Sequence, residues 1–450
     1  MAWVLALTAD GIVIVAPMET KQQGRPQSQT REEGWPRPDG RAGTADMLDS
    51  RRSWIVATMA LVCLGMSFGG PLIAIVGLKT IAADMGGARS VPALGGSLAW
   101  LGAAVGGVLM GRVAHRFGIR WTVIGGALSV CTGLAISTVG EPWALYVGHG
   151  VFIGLLGLAG LNAPLYVYIS HWFLRRRGSA LALLSSGNYI AGVVWPVIFE
   201  AVIDRFGWRT TMLGYGLIQA ALVTTLALVF LRPPPAAASP PTTAAVARPG
   251  KVAGMRPNTV FVMLAAAGFL CCVPMAMPQG HLVALCSDRG LPATVGAAML
   301  SALLAVAFMS RQAWGLVSDR IGGVRTALIS SFMQMIAVSG YLYVQQQFGL
   351  FAVSIAYGLG FSALIPAYVL AMREIFPPHE AYWRVPSMLL MTGSGMAAGG
   401  WVAGFLYDRY GSYDPAFMLG VAANIVNLVL LATLTLRMHG GFRIPALRRA

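Results

Sequence analysis

Residues 111–118 read Gly-Arg-Val-Ala-His-Arg-Phe-Gly, and 204 positions later residues 315–322 read Gly-Leu-Val-Ser-Asp-Arg-Ile-Gly. A second pair follows at the same offset, where Asp204-Arg-Phe-Gly207 returns as Asp408-Arg-Tyr-Gly411. A third, Ala163-Pro-Leu-Tyr166 against Ile365-Pro-Ala-Tyr368, is offset by 202. Three matches in the same order at nearly one spacing imply two halves of common descent.

The chain around these motifs is apolar. Of 450 residues 56% are hydrophobic and 11% charged, against roughly 25% charged in a soluble chain. Apolar segments lie near 54–78, 91–111, 119–140, 143–170, 178–201, 210–231, 258–286, 292–317, 323–345, 348–372, 384–406 and 415–437. Each approaches or exceeds the roughly 20 residues that cross a bilayer as a helix, and a bare backbone in lipid must be helical. The stretch Arg232 to Arg256, with its Pro-Pro-Pro, Ala run and second Pro-Pro, has a linker's composition and divides the segments six and six. The expectation is an all-α membrane protein of twelve transmembrane helices in two six-helix repeats. A disordered cytoplasmic tail spans 1–50, the bundles 51–231 and 258–437, the linker 232–257, and a second tail 438–450. Residues 1–17 are apolar but lack a basic start and are interrupted by Asp10, which makes a poor signal peptide and too short a span. Residues 18–50, rich in Gln, Arg, Gly, Pro and Glu, carry the disorder, and Met47 could be the true start.

The formal charge of +15 is explained by topology. With the N-terminus inside, the inner loops and tails hold 25 Lys and Arg and the outer loops 6, an asymmetry that puts both termini in the cytoplasm. The surplus also attracts anionic lipid headgroups. Nucleic-acid binding is excluded, because no basic face, RNP-like motif or zinc-finger spacing is present. Cys63, Cys131, Cys271, Cys272 and Cys286 fall within or at the edge of apolar stretches, with no disulfide framework or metal spacing. No cofactor or metal is expected. Two repeated halves with a solute held near the midplane between them is the design of secondary transporters.

These residues resemble the major facilitator superfamily, whose mark between the second and third helices is a G-x-L-A-D-R-x-G-R-R type loop. Gly111, Arg112, Arg116, Gly118 and Arg120 follow that pattern, with His115 where the family usually has Asp, and the second copy keeps Asp319 and Arg320. The run His171-Trp-Phe-Leu-Arg-Arg-Arg to Ser186-Gly187 is similar to the signature of monocarboxylate and oxalate/formate type carriers. Ser67-Phe-Gly-Gly-Pro71 and Arg311-Gln-Ala-Trp-Gly315 fit the same branch. The resemblance implies a carrier of a small organic anion, by proton symport or anion exchange, in the cytoplasmic (inner) membrane if the source is bacterial. Other solutes, riboflavin among them, and drug or metabolite efflux are the alternatives on this fold. The expected partners are an anionic small-molecule solute, protons and membrane lipid, and a monomer is expected.

Arg311 belongs to neither side in the charge count. Eight residues separate it from Asp319, about 12 Å of helix at 1.5 Å per residue, so its Cα lies deep in a hydrocarbon core about 30 Å thick. A guanidinium there should face a polar cavity and meet an anion, its fork suiting one carboxylate. The long side chain could instead snorkel to the inner interface. The resemblance also implies an arginine in this helix. It implies an acid one turn earlier in proton-coupled members, where this chain has Ala307. It implies a second deep cation in the eleventh helix of oxalate carriers, which is absent and argues against a small dianion.

Glu200 sits at the outer end of the fifth segment, so His149 and His281 are the titratable candidates left. His281 follows Pro274 and Pro278, which are expected to break the seventh helix. Asn162, Tyr166, Asn188, Tyr189, Gln279, Tyr357 and Tyr368 are the polar side chains expected at the cavity, given the family's use of helices 1, 4, 5, 7 and 10. Interhelical hydrogen bonding is their other use. Gly102, Gly106 and Gly107, and Gly395, Gly399, Gly400 and Gly404, are expected to let helices pack closely and slide. Arg112, His115, Arg116 and Arg120 on one inner loop, and Asp319 and Arg320 on the other, occupy positions where family members form gating ion pairs.

An embedded enzyme is the rival class. His379-Glu380-Ala-Tyr-Trp-Arg384 has Arg where a zinc-protease box needs its second His. Gly393-Ser394-Gly395 lacks the outer spacing of a nucleophile elbow, and no paired carboxylates lie within the segments.

Overall fold

The structure, a computed structural model, describes residues 4–8, 11–15, 48–173, 176–232 and 254–439. Residues 16–47 of the expected tail, 233–253 of the expected linker and 440–450 lie outside them. The chain divides into two units, Met1–Gly43 and Thr44–Ala450. In the first, β1 (Val4–Thr8) pairs antiparallel with β2 (Gly11–Val15), Thr8 opposite Gly11. Both strands are rich in Val, Ile and Leu, which favour the extended backbone.

The second unit is helical. Its first half contains α1 (Arg51–Val76), α2 (Leu78–Asp84), α3 (Ser90–Phe117), α4 (Ile119–Ser137) and α5 (Pro142–Val147). A π-helical stretch, Gly148–Leu158, runs on into α6 (Ala159–Ser170), and α7 (Arg177–Ser185), α8 (Gly187–Phe206) and α9 (Trp208–Phe230) follow. The second half contains α10 (Pro257–Asp288), α11 (Ala293–Ile321), α12 (Gly323–Tyr343), α13 (Gln347–Phe361), α14 (Leu364–Ile375), α15 (Pro378–Tyr410) and α16 (Asp414–His439).

Ten segments among the described residues are long and apolar enough to cross a membrane, or eleven with α3, which bends by 56° between Ser90–Gly107 and Leu109–Phe117. The bend follows Gly106 and Gly107, a common cause of sharp kinks. The remaining one of the twelve expected segments is α12, which falls short of that apolar test. Thr326, Ser330, Ser331 and Gln334 on its inward face are fully buried and lower its mean hydropathy. Hydrogen bonds hold it in the bundle instead: Gln334 Nε2 donates to the Cys271 carbonyl at 3.2 Å, and Asn427 Nδ2 to Ser331 Oγ at 2.9 Å. Such bonds are worth about 0.6 to 2 kcal/mol each inside a membrane.

The repeat is visible in the backbone. Gly118 ends α3 at φ 82°, ψ 156°, and Gly322 ends α11 at φ 83°, ψ 164°. Side-chain-bearing residues rarely adopt this conformation, so the motif glycine turns the chain from one helix directly into the next. The sliding glycines sit where helices touch. A β-carbon on Gly102 or Gly106 would strike the carbonyls of Gly150 or Leu155 in the π-helical stretch, and one on Gly395 or Gly399 those of Phe269 or Val273 in α10. Gly107 has more room, with Ala163 Cβ at 3.9 Å. Each half buries its own apolar core, and Leu78 and Tyr189 from the first half pack into the core of the second.

Candidate substrate cavity and the end that closes it

A cavity of about 100 Å³ lies between the halves. α1 contributes Phe68 and Leu72, α3 Ser97 and Trp100, α8 Asn188, α10 Gln279 and His281, and α11 Leu304. Its walls are mostly apolar. Ser97 Oγ and Asn188 Oδ1 are buried there without a hydrogen-bond partner, and buried polar atoms of this kind call for a partner. Gln279 Nε2 donates to the Met275 carbonyl at 3.0 Å.

Beside the cavity, α11 brings Arg311 against α8. Its guanidinium carbon lies 5.1 Å from the centre of the Tyr189 ring, a cation–π distance, and Tyr189 also packs on Phe361 at 6.3 Å. Tyr166 hydrogen-bonds Ser185 and lies within electrostatic reach of Arg311. Arg311 is half-buried and belongs to none of the ion pairs among the described residues. Asn188 and Tyr189 are adjacent on α8, so this cluster adjoins the cavity without lining it. Of the sequence-predicted residues, Arg311, Tyr166 and Tyr189 come together here, and Asn188, Gln279 and His281 come together at the cavity.

The other candidates lie elsewhere. Tyr357 and Tyr368 are fully buried within the second half, the former donating to the Met275 carbonyl and the latter to Asn427 Oδ1, both at 2.7 Å. They tie α13 to α10 and α14 to α16, and neither is among the residues lining the cavity. Tyr368 differs from its repeat mate Tyr166 because α16 presents Asn427 to it. Asn162 is half-buried on α6 and is not a cavity-lining residue. His149 is fully buried, its Nδ1 3.1 Å from Ser137 Oγ. The expected break in the seventh helix does not occur: α10 runs as one helix through Pro274 and Pro278. Gln334, Gln279 and Tyr357 donate to the neighbouring carbonyls of Cys271 and Met275.

The two ends of the bundle differ. Arg112, His115 and Arg116 at the end of α3, and Asp319 and Arg320 at the end of α11, are exposed. No ion pair among the described residues joins them. Arg120 is turned to the Leu231 carbonyl at 3.3 Å. At the opposite end the halves are laced together by residues that sequence reading did not single out as a site. Arg89, at the start of α3, is 7% exposed. Its Nη2 donates to Asp288 Oδ1 at 2.6 Å, its Nη1 donates to Asp288 Oδ2 and, at 3.0 Å, to Tyr413 Oη. The guanidinium lies 3.7 Å from the centre of the Tyr407 ring, and Lys79 Nζ is 3.1 Å from Asp288.

The two carboxylate oxygens of Asp408 accept the backbone N–H groups of Arg89 and Ser90, each at 2.8 Å, closing the N-terminus of α3. Gly404 and Gly400 let α15 approach α3 here, since added β-carbons would lie 2.9 Å from Ala93 Cβ and Ser97 Oγ. Burial opposes the Arg89 charge, but the bonds to Asp288 and Tyr413 outweigh it and hold its pKa above the usual arginine value. Burial pushes the Tyr413 hydroxyl up as well, against the pull of Arg89, so it stays a neutral donor. Nearby, Trp208 Nε1 and Arg209 Nη1 donate to Asp84 at 2.8 and 2.7 Å and lower its pKa. One sequence signal pointed to this end, the Asp204/Asp408 repeat, whose second copy reaches across to α3.

The Major Facilitator Superfamily pattern matches residues 55–382. The chain belongs to this family, whose members are carriers and not enzymes, and is an integral, multi-pass membrane protein. The MFS-type transporter pynF of Aspergillus niger is 24% identical over 69% of this chain and 72% of its own length. Monocarboxylate transporter 13 of Bos taurus is 25% identical over 76% of this chain and 79% of its own. That second match agrees with the branch resemblance stated above. A bacterial homolog of the human lysosomal transporter Spinster, in an inward-facing, unoccupied conformation, superposes with a TM-score of 0.67 at 16% identity, covering 88% of this chain and 100% of the other.

Proposed function

We propose that this protein moves a small, monocarboxylate-like organic anion across its membrane by alternating access, through proton symport or anion exchange, with Arg311 binding the carboxylate. The observation that carries this reading is a half-buried guanidinium at the junction of the halves, held by Tyr189 and lacking a carboxylate partner among the described ion pairs. An ion so placed is costly unless it meets an opposite charge. Tyr166 and Tyr189 frame the anion end, and Asn188, Gln279 and His281 face the rest of the solute in the cavity. Asn162 flanks the path on α6. The match to a protein named as a monocarboxylate transporter supports the same substrate class.

The termini lie in the cytoplasm, on the charge asymmetry of 25 to 6, in the inner membrane if the source is bacterial. The Arg89 end is then the outer end, and the loops bearing Arg112, His115, Arg116 and Arg120, and Asp319 and Arg320, form the inner gate, apart in this state. The protein acts as a monomer. The mostly apolar cavity wall favours a second reading, transport of a larger vitamin-like or metabolite solute, as uptake or efflux.

Uptake into proteoliposomes of monocarboxylates, dicarboxylates and riboflavin, at several proton gradients, separates these readings. Wild type is expected to accumulate a monocarboxylate and Arg311→Gln to lose at least tenfold of the rate, the equivalent of about 1.4 kcal/mol. Equal uptake of every solute by both proteins would reject the anion reading.

A further inference from the structure

The outer latch is wired to the cavity through one side chain. His281 lines the cavity and is 2% exposed. Its Nε2 lies 2.8 Å from the Gly400 carbonyl, which only accepts, so in the neutral ring Nε2 carries the proton and Nδ1 is the bare acceptor. Tyr413 therefore donates its O–H to Nδ1 at 3.1 Å, and its oxygen accepts from Arg89 Nη1 at 3.0 Å. Arg89 in turn holds Asp288. A single line of hydrogen bonds runs from the cavity wall to the ion pair that joins the halves.

We propose that His281 is a proton-binding site that controls this latch: the neutral ring keeps the outer end closed, and a proton on Nδ1 opens it. The proton forms an N–H bond at the Nδ1 lone pair, and no other covalent bond breaks. Nδ1 then donates where it had accepted, so Tyr413 must turn its O–H away, and a second positive charge stands behind Arg89. The charged and titratable groups facing His281 are Arg89 from the start of α3, Asp408 and Tyr407 from α15, and Tyr413 before α16. Asp288, on its own helix, and Lys79 of α2 lie beyond Arg89. Asp408 is engaged by the Arg89 and Ser90 amides and Asp288 by Arg89 and Lys79, so both carboxylates are committed to the latch.

The inference deepens the proton-coupled form of the proposed function and rests on it. With His281 protonated and the cavity empty, the outer end stays open. An anion in the cavity offsets the added charge and lets the latch re-form, so proton and anion travel inward together.

The test is the distance across the outer end, read by electron-spin resonance between labels at the exposed Thr80 and Tyr410 in a Cys131→Ala background. Lowering the pH stepwise from about 8 to about 4.5 without solute should move the wild-type population progressively toward the longer distance as the ring binds its proton. His281→Gln should hold one distribution across that range, and Tyr413→Phe should also lose the response. Arg89→Ala should give the long distance at every pH, proving that the labels report the latch.

A pH response that survives in His281→Gln, or its absence in wild type while Arg89→Ala opens the end, would overturn the proposal. Arg311→Gln should retain the pH response, so the latch and the anion reading fail separately.

Discussion

The two ends of the helical bundle are built from repeated motifs yet behave differently. At one end Arg89, Asp288, Asp408 and Tyr413 bind the halves to each other. At the other, Arg112, His115, Arg116, Asp319 and Arg320 stand exposed and unjoined by any ion pair among the described residues. The difference lies less in charge content than in what surrounds the charge. Arg89 is buried under Tyr407 with a bidentate carboxylate, and such a charge cannot release its partner cheaply. The exposed loops can pair and separate at little cost, because surface pairs are worth about 1 kcal/mol or less. A carrier needs both states within reach, and here one end is firmly closed while the other waits.

The largest effect is expected from Asp288→Ala. Removing the carboxylate leaves buried Arg89 without its ion-pair partner, which should shift the latched end toward the separated state by about 2 kcal/mol, roughly 30-fold. The spin-label distance between positions 80 and 410 reads it. If the closed distance persists, the ion pair is not what closes that end.

Glycine substitutions probe the same contrast in packing. Gly399→Ala drives a methyl into the Val273 carbonyl and should cost about 1 to 3 kcal/mol. Gly315→Ala, at the open end, meets nothing within 4 Å and should stabilise the helix by about 0.5 to 1 kcal/mol. Thermal unfolding in detergent should therefore move in opposite directions for the two variants.

The smallest effect belongs to His115→Asp. An acid restored to the exposed first loop gains at most about 1 kcal/mol from a surface pair, so transport rates should change up to about fivefold. Unchanged kinetics and an unchanged pH profile would remove His115 from the gate.

Much of this architecture is written locally. The apolar runs mark the helices, and the recurring Gly118 and Gly322 mark equivalent reversals, because each is fixed by the residues beside it. Arg311 was legible for the same reason, as a charge at the wrong depth. Its meeting with Tyr189 followed from the two being on facing helices.

Beyond Asp408, marked by the repeat, the latch was not legible. Its members sit at positions 79, 89, 288, 408 and 413, and no spacing rule links a side chain in one half to a loop in the other. Arg89 looked like one more charge in an outer loop. The same limit explains Tyr357 and Tyr368: a buried hydroxyl must find an acceptor, and sequence does not say whether a solute or the carbonyl of Met275 supplies it. α12 differs, because its run at 323–345 is legible as a span, and what the sequence leaves out is that Asn424 and Asn427 of α16 meet its polar face.

Alternating access requires that closure of one end exclude closure of the other, and measuring both ends at once in Arg89→Ala tests this. Labels at Thr80 and Tyr410 report the latched end, and labels at the exposed Phe117 and Leu316 report the open one. If the two ends alternate, the first distance lengthens while the second shortens. A first distance that lengthens with the second unchanged would contradict it.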